Sequence, residues 1–254
     1  MNKLGLKLWS TNTEFYLNEA KKLFDKCYFD YIELYIVPNT LNNLSNWKKL
    51  KIPYIIHAPH FAHKMNLSKA ECFDNNMNLY NQVKIYADEL KTEHIIFHGG
   101  TDGSYLETAN QLKFINDKRS LIENKPFKTV IHIKGDYYIG SKIEEILSCM
   151  KTSNCGFCLD IGHAMAAANS FNIDPYEYIK LLLQLKPMMY HLSDTDIKSE
   201  IDLHYNFGQG NLNMEKLFEI LPSSSIITIE TNKSAKENLD DFVEDIKYLR
   251  KFLI

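Results

Sequence analysis

The chain alternates short apolar runs with longer amphipathic segments. Short apolar runs bounded by polar residues are typical of buried parallel strands, and apolar residues three and four positions apart are typical of helices. The runs predicted as strands span 4–9, 31–36, 54–57, 94–98, 120–123, 156–160, 188–191 and 226–230. Helices are predicted between and after them, with the clearest candidates at 13–26, 72–90, 174–186, 213–221 and 238–253.

The regular alternation of strands and helices predicts the fold. Eight such units in 254 residues match a (β/α)8 TIM barrel, so we predict a single barrel domain over residues 1–254. A doubly wound sheet is the alternative, but it usually has fewer strands and often a glycine-rich first turn, whereas "WSTNTEF" follows the first strand here. The segment 128–140, "KTVIHIKGDYYIG", interrupts the alternation and predicts a hairpin inserted after strand five.

The predicted strands end on side chains that can bind metal ions. Strands three to eight finish on a histidine or a carboxylate: His57, His98, Glu123, Asp160, His191 and Glu230. A barrel of this type places its active site at the carboxyl ends of its strands. His163 follows in the turn after strand six, and Asp202 and His204 lie two positions apart after strand seven, where an extended chain turns both to one side. We therefore expect these nine residues to meet.

The nine residues have the chemistry of a metal site. Histidine with carboxylate suits zinc, manganese or iron rather than a thiolate centre. Zinc is usually four-coordinate, so nine ligands predict two or three ions, and clustered zinc ions suit hydrolysis of a phosphate ester. Each residue alone has a simpler interpretation, since a single histidine at a strand end is usually a structural group and Asp160 could cap a helix. Their predicted convergence favours the metal site.

Five short motifs carry a resemblance to a known superfamily: "LIENKP", "CLDIGHAM", "YHLSD", "DLHYNFGQG" and "ITIET". On these motifs, nearly the whole chain resembles the xylose-isomerase-like TIM barrels, which include endonuclease-IV-type AP endonucleases and many sugar isomerases and epimerases. The endonuclease pattern implies a three-zinc hydrolase in which Glu123, Asp160 and Glu230 are catalytic. It implies one zinc on His57 and His98, with Glu123 bridging to a second that Asp160, His191 and Glu230 complete, and a third on His163, Asp202 and His204.

The epimerase pattern of the same superfamily is the alternative. It implies one Mn²⁺ or similar ion, with Glu123 and Glu230 also acting as acid and base on a sugar carbon. Its metal ligands would be Glu123, Asp160, His191 and Glu230. Four of the remaining candidates would then have no metal role, which favours the three-zinc hydrolase: His57, His98, Asp202 and His204. A barrel that binds a sugar or a metal without catalysis is a third hypothesis.

The basic residues narrow the choice of partner. Only Arg119 and Arg250 are arginines among the 29 basic residues, and the net charge is −3. Proteins that read nucleic acid usually rely on arginine. The endonucleases that the chain resembles insert arginine from their upper loops, where this chain has "VPNTLNNLSN" after strand two. A small phosphorylated sugar or a sugar is therefore predicted as the substrate in preference to AP-site DNA.

The cysteines and the apolar runs bear on the compartment. The five cysteines are odd in number and widely scattered, which favours reduced thiols in a cytoplasmic protein over a disulfide framework. No run approaches the roughly 20 apolar residues that a membrane span needs. We therefore predict a cytoplasmic protein with no membrane partner.

Overall fold

Eight parallel strands close into a barrel in chain order. The computed structural model describes residues 2–129 and 135–253. Each strand pairs with its neighbours in sequence, and the last pairs with the first. The strands are β1 (Lys3–Trp9), β2 (Tyr31–Tyr35), β3 (Tyr54–His57), β4 (Ile95–His98), β5 (Ser120–Glu123), β6 (Gly156–Asp160), β7 (Met189–Leu192) and β8 (Ile226–Ile229). The predicted TIM-barrel fold is confirmed.

Helices surround the barrel and bury their apolar faces against the strands. None of those in the described part of the chain is long and apolar enough to cross a membrane. They are α1 (Leu17–Asp25), α2 (Leu44–Lys49), α3 (Phe73–Glu89), α4 (Tyr105–Ile115), α5 (Ile143–Ser153), α6 (Ile161–Ser170), α7 (Pro175–Leu183), α8 (Met214–Ile220) and α9 (Asp240–Leu249). Each of the five predicted helices is present, with boundaries that differ by up to four residues.

The barrel interior contains an apolar layer. Successive side chains of a strand point to opposite faces, so alternate residues fill the inside of the barrel. The apolar layer consists of one residue from each of β2 to β7: Tyr31, Ile55, Ile96, Leu121, Cys158 and Met189. All six are buried, and they pack into a core separate from the larger one between strands and helices.

Polar side chains lie above the apolar layer. Two residues further along the same strands, at the same interior face, stand Glu33, His57, His98, Glu123, Asp160 and His191. The strand period of two therefore accounts for polar groups where the apolar runs end. Of the six strand ends predicted to carry a candidate ligand, two differ from prediction, because β7 continues one residue past His191 and Glu230 is the first residue after β8.

Part of the predicted hairpin lies outside the described residues. Lys128 and Tyr137 form an isolated antiparallel bridge, and Tyr138 forms another with Thr101. Residues 130–134, which would form the centre of the hairpin, are not among those described. The inserted hairpin at 128–140 and the single domain over 1–254 stay predictions.

Candidate metal centre

Two histidines converge on one oxygen of Glu123. The Nε2 atoms of His57 and His98 lie 3.2 and 3.1 Å from Glu123 Oε2. These residues end the adjacent strands β3, β4 and β5, and His98 is paired directly with Glu123 in the strand register. His57 and Glu123 are buried, and His98 is almost so. The barrel therefore places two imidazole rings and a carboxylate at one point.

The hydrogen bonding of His57 determines which of its nitrogens carries the proton. Nδ1 lies 2.7 Å from the carbonyl oxygen of Ala58, which can only accept, so Nδ1 donates. Burial and the charge of Lys7 lower the pKa of His57, which favours the neutral ring with an unprotonated Nε2. The lone pair of that nitrogen faces the carboxylate of Glu123, an arrangement that a cation between the two groups makes favourable.

Asp202 joins two further histidines at the edge of the site. Its Oδ2 lies 2.9 Å from His163 Nε2 and 2.5 Å from His204 Nε2. His204 adopts the left-handed backbone conformation, with φ of 49°, which is uncommon for a non-glycine residue. Such conformations cluster at functional sites, where the surrounding structure maintains them. The pair predicted to face one ion, Asp202 and His204, is therefore in contact and is joined by His163.

Asp160 has two roles in the structure. Its Oδ1 accepts a hydrogen bond of 2.7 Å from the backbone N–H of His163, so Asp160 caps the amino end of α6. Its Oδ2 faces the centre of the barrel, 3.4 Å from His163 Nδ1 and 3.8 Å from His191 Nδ1. The simpler interpretation of this residue as a helix cap is therefore correct, and it leaves one oxygen available to a ligand.

His191 lies at the centre of the site among carboxylates. Its Nδ1 is 3.0 Å from Glu230 Oε1 and 3.5 Å from Glu123 Oε2, yet it makes no hydrogen bond with the described residues. Its Nε2 is 2.9 Å from Glu33 Oε2. An unbonded buried nitrogen surrounded by carboxylate oxygens is the environment that a bound cation would satisfy.

Lys7 neutralises two of these carboxylates. Its ammonium group bonds to Glu33 and, at 2.5 Å, to Glu230. Burial would lower the pKa of Lys7, but the charges of Glu230 and Glu33 raise it above its ordinary value. Burial would also raise the pKa of Glu33, but His191 and Lys7 lower it to about 2. Lys7 is therefore a permanent cation that holds Glu33 and Glu230 ionised.

Glu123 connects the groups of the site to one another. While its Oε2 faces His57 and His98, its Oε1 lies 3.0 Å from His163 Nδ1 and 3.3 Å from Lys125 Nζ. Burial would raise the pKa of Glu123, but His98 and Lys125 hold it well below its ordinary range. A carboxylate with histidines at both oxygens has the position of a bridging ligand.

The five carboxylates of the site have cationic groups as neighbours. Two ammonium groups, Lys7 and Lys125, stand among five carboxylates. Burial lowers the pKa of His98 to about 3, so this ring is neutral. Burial would also lower the pKa of His163, but Asp160 raises it to about 10. Burial would likewise lower the pKa of His191 and of His204, but neighbouring acidic groups raise both. Without metal, the protonated rings of His163, His191 and His204 and the two ammonium groups therefore balance the carboxylates, and bound metal ions would displace the ring protons. The five carboxylates are those of Glu33, Glu123, Asp160, Asp202 and Glu230.

The spacing of the side chains fits metal binding. Two ligand atoms of one tetrahedral zinc ion, each about 2.1 Å from it, are roughly 3.4 Å apart. Four sets of residues have ligand atoms within 4.8 Å of one another, namely His57–His98–Glu123, His163–Asp202–His204, Glu33–His191–Glu230 and Glu123–Asp160–His163. The nitrogen and oxygen donors of these sets suit a divalent transition metal.

The groups of the site lie at the bottom of an open cavity of about 630 Å³. Its walls carry the aromatic side chains of Trp9, Tyr35, Phe61 and Tyr138. This volume is in the range of sites for small molecules. Neither arginine lines the cavity, since Arg119 pairs with Asp117 and Asp88 and Arg250 donates to the carbonyl oxygen of Cys27.

Asp194 shapes the loop that carries Asp202 and His204. Its buried carboxylate accepts hydrogen bonds of 2.8–3.2 Å from four backbone N–H groups, those of Thr195, Gly208, Gly210 and Leu212. A Cβ atom at Gly210 would lie 2.3 Å from the carbonyl oxygen of Thr195, so this close approach requires glycine. Asp194, two residues after the end of β7, therefore holds the loop in place through buried hydrogen bonds.

We expect Asp194→Ala to lower the free energy of unfolding by about 2–4 kcal/mol, because four backbone N–H groups lose their acceptor. Urea denaturation followed by circular dichroism measures this loss. Asp174→Ala is the control, since the exposed Asp174 caps α7 through one hydrogen bond to the Glu177 N–H and should cost about 1 kcal/mol. Equal losses in the two variants would contradict this role of Asp194.

The structure brings all nine predicted residues together at the carboxyl end of the barrel. Three residues outside the nine join them there: Lys7, Glu33 and Lys125. Lys7 could have been found from its position, because a lysine inside the apolar run "LGLKLW" has the same parity as Trp9 at the strand end. The nine are His57, His98, Glu123, Asp160, His163, His191, Asp202, His204 and Glu230.

Curated proteins of similar sequence include probable endonucleases. The chain is 25% identical over 181 residues to "Probable endonuclease 4" of Mesomycoplasma hyopneumoniae, which is 66% of this chain and 63% of that protein. The matching segments span 41% to 63% of the length of the curated relatives.

Solved structures share the fold. Endonuclease IV from Thermus thermophilus superimposes with a TM-score of 0.72 at 18% identity, covering 99% of this chain and 98% of that chain. A D-tagatose 3-epimerase-like protein gives 0.71 at 22% identity, covering 99% and 97%. A family model described as "Xylose isomerase-like TIM barrel" matches residues 29–252. The chain therefore belongs to the xylose isomerase-like TIM barrel family.

Proposed function

We propose that the chain is a metal-dependent enzyme that binds three divalent ions, most simply zinc, and hydrolyses a phosphate ester. The observation that supports this most directly is the position of Glu123. One of its oxygens faces His57 and His98, and the other faces His163, which Asp202 links to His204. A single-metal site would use only part of this arrangement.

The residues divide into three sets of ligands in this proposal. When bound, zinc ions would lower the pKa of water and polarise a phosphate group. The first ion would be held by His57 and His98, and Glu123 would bridge from it to the second. The second would also take Asp160, His191 and Glu230, and the third would take His163, Asp202 and His204.

The surrounding residues of this chain hold the catalytic carboxylates in place. Lys7 bonds to Glu230 and keeps it ionised. The amino end of α6 fixes Asp160 by a hydrogen bond, which leaves Oδ2 in a set direction. Lys125 contacts Glu123 Oε1 and prevents that side chain from rotating freely. These contacts preorganise the groups that would bind metal and substrate.

The cavity supports a small sugar phosphate as the substrate rather than AP-site DNA. Its volume of about 630 Å³ suits a small molecule. Aromatic side chains such as Trp9 and Tyr35 can pack against the apolar face of a sugar ring. Arginine does not line the cavity, whereas proteins that read nucleic acid usually rely on it.

A sugar isomerase or epimerase with one Mn²⁺ or similar ion is the second candidate. The observation that favours it is the environment of His191 Nδ1, which has Glu230, Glu123 and Asp160 at 3.0, 3.5 and 3.8 Å. These four residues are a complete ligand set for one ion. Glu123 and Glu230 would then also transfer protons to and from a sugar carbon.

Metal content distinguishes the two candidates. We expect elemental analysis of the protein purified without added metal to give close to three zinc ions per chain. Removing them with a chelator should abolish hydrolysis, and adding zinc back should restore it. Close to one manganese, cobalt or magnesium ion per chain would contradict the hydrolase and support the isomerase.

A substrate panel tests the reaction itself. Sugar phosphates and AP-site DNA are assayed for release of phosphate or strand cleavage, and ketoses are assayed for conversion to their epimers. We expect phosphate release from a sugar phosphate. Turnover of ketoses without phosphate release would show that the isomerase is correct.

A further inference from the structure

One of the lysines that line the cavity has no ionic partner. Lys7 pairs with Glu33 and Glu230, Lys125 pairs with Glu123, and Lys128 pairs with Glu200. For Lys233, by contrast, no carboxylate of residues 2–129 or 135–253 lies within 4.0 Å of the ammonium group. Its only hydrogen bond in that part of the chain is one of 3.3 Å to the carbonyl oxygen of Thr231.

The nearby carboxylates are already committed to other partners. Glu230 is bonded to Lys7, and Asp241 accepts from the Ser234 side chain and backbone. Asp245 is bonded to Asn206, Phe207 and Thr231. Burial lowers the pKa of Lys233 to about 8, so the group remains largely charged at neutral pH. Its positive charge is therefore available to a ligand in the cavity.

Two amide groups line the same cavity as this lysine. Asn12, in the loop after β1, accepts from the backbone N–H of Trp9 through Oδ1, which leaves its NH2 group as a donor at the cavity. Asn232 lines the cavity next to Lys233. A lysine and two amides at the corner between β1 and β8 form a set of donors. TIM barrels frequently bind phosphate through the loops after their last strands.

We propose that Lys233, with Asn12 and Asn232, forms an anion-binding subsite separate from the metal centre, so that the substrate carries an anionic group in addition to its reacting group. This inference rests on the proposed function for the metal site that would bind the reacting group. The contacts of Lys233 are observed independently of that function. Phosphate and carboxylate share the chemistry that this subsite recognises.

Non-hydrolysable ligands test the subsite by calorimetric titration of the metal-loaded protein. The probes are alkane-α,ω-bisphosphonates of increasing chain length, with alkylphosphonates of equal length as single-anion controls. We expect the best bisphosphonate to bind the wild-type protein about tenfold or more tightly than its alkylphosphonate, because it reaches both sites. Lys233→Met should abolish that advantage, while the affinity for the alkylphosphonate changes less than about twofold.

Lys128→Met is the matched control, because Lys128 lines the same cavity but pairs with Glu200. We expect this variant to bind all probes as the wild type does. Lys233→Arg should retain most of the advantage, since it keeps the charge. A bisphosphonate advantage that survives in Lys233→Met would overturn the subsite.

The same titrations separate this inference from the proposed function. If Lys233→Met lowers the affinity for the alkylphosphonate by about tenfold, the single phosphonate group of this ligand binds at Lys233 and not at the metals. The subsite would then stand, and the hydrolase would be contradicted. ω-Phosphonoalkanoates, which carry one phosphonate and one carboxylate, identify the anion that the subsite accepts. If it accepts a carboxylate, they bind more tightly than the alkylphosphonate. If it requires a phosphate, the two ligands bind equally.

Discussion

Replacing Glu123 by glutamine is expected to abolish catalysis, with a loss in kcat/KM on the order of 10³-fold or more. Glu123 contacts histidines at both of its oxygens, so a neutral amide there should weaken both of the proposed metal positions that it would bridge. It also leaves Lys125 without its carboxylate partner in a buried environment. The measurement combines kcat/KM on the best substrate of the panel with elemental analysis, and bound metal should fall together with activity.

Glu145→Gln provides the control for this prediction. Glu145 is also a buried glutamate, but it accepts hydrogen bonds from the backbone N–H groups of Gly140 and Lys142 and does not line the cavity. We expect this variant to keep its metal and its activity. A Glu123→Gln protein with full metal content and full activity would sink the assignment of Glu123 as a bridging ligand.

Replacing Asp202 by asparagine is expected to remove about one metal ion per chain and to lower kcat/KM by roughly 10²-fold or more. Asp202 joins His163 to His204, and the amide that replaces it carries no charge to hold a cation between them. Elemental analysis and the hydrolysis assay measure the two effects. Because the single-metal isomerase does not use Asp202, this variant separates the two candidate functions.

Asp196→Asn is the control for the Asp202 variant. Asp196 lies in the same connection after β7, but its carboxylate bonds to Lys198 and Asn211 at the exposed edge of the loop. We expect its metal content and activity to equal those of the wild type. If Asp202→Asn behaves in the same way, the third metal position does not exist.

The strands were predictable because the physics that forms them is local. A strand that is covered on both faces has a continuous apolar sequence. When the strand has only four or five residues, the length of that run determines its boundaries closely. The prediction of 54–57 and 120–123 as strands is confirmed to the residue by β3 and β5. Seven of the nine candidate ligands followed from the same runs, because they end a strand or lie within three residues of its end.

The partners of those ligands were less accessible to sequence analysis. Lys125 lies beyond the end of β5, where its side chain contacts Glu123 and its backbone N–H bonds to the carbonyl oxygen of Gly140, 15 positions along the chain. Asp194 accepts from N–H groups up to 18 positions away, and no spacing in the sequence shows which ones. Lys7 differs from the candidate ligands because it lies inside β1 and not at its end, so only its parity with Trp9 indicates that it faces the barrel interior.

The boundaries of the helices depend on capping groups and on turns. Residues 13–26 were predicted as one helix, but α1 begins only at Leu17, after a series of turns. The turn predicted after strand six is instead the start of α6, because Asp160 caps it. A residue that caps a helix and a residue that faces a metal have the same appearance in a sequence, and we propose that Asp160 is both.

The apolar layer has a consequence for the order of events in turnover. Six buried side chains fill the barrel below the polar ones, and the interior of such a barrel is a packed core rather than a pore: Tyr31, Ile55, Ile96, Leu121, Cys158 and Met189. Reactant must therefore enter, and product must leave, through the same opening at the carboxyl ends of the strands. In the proposed function, product therefore has to leave the cavity before the next reactant can enter, an order that six side chains with no part in the chemistry impose.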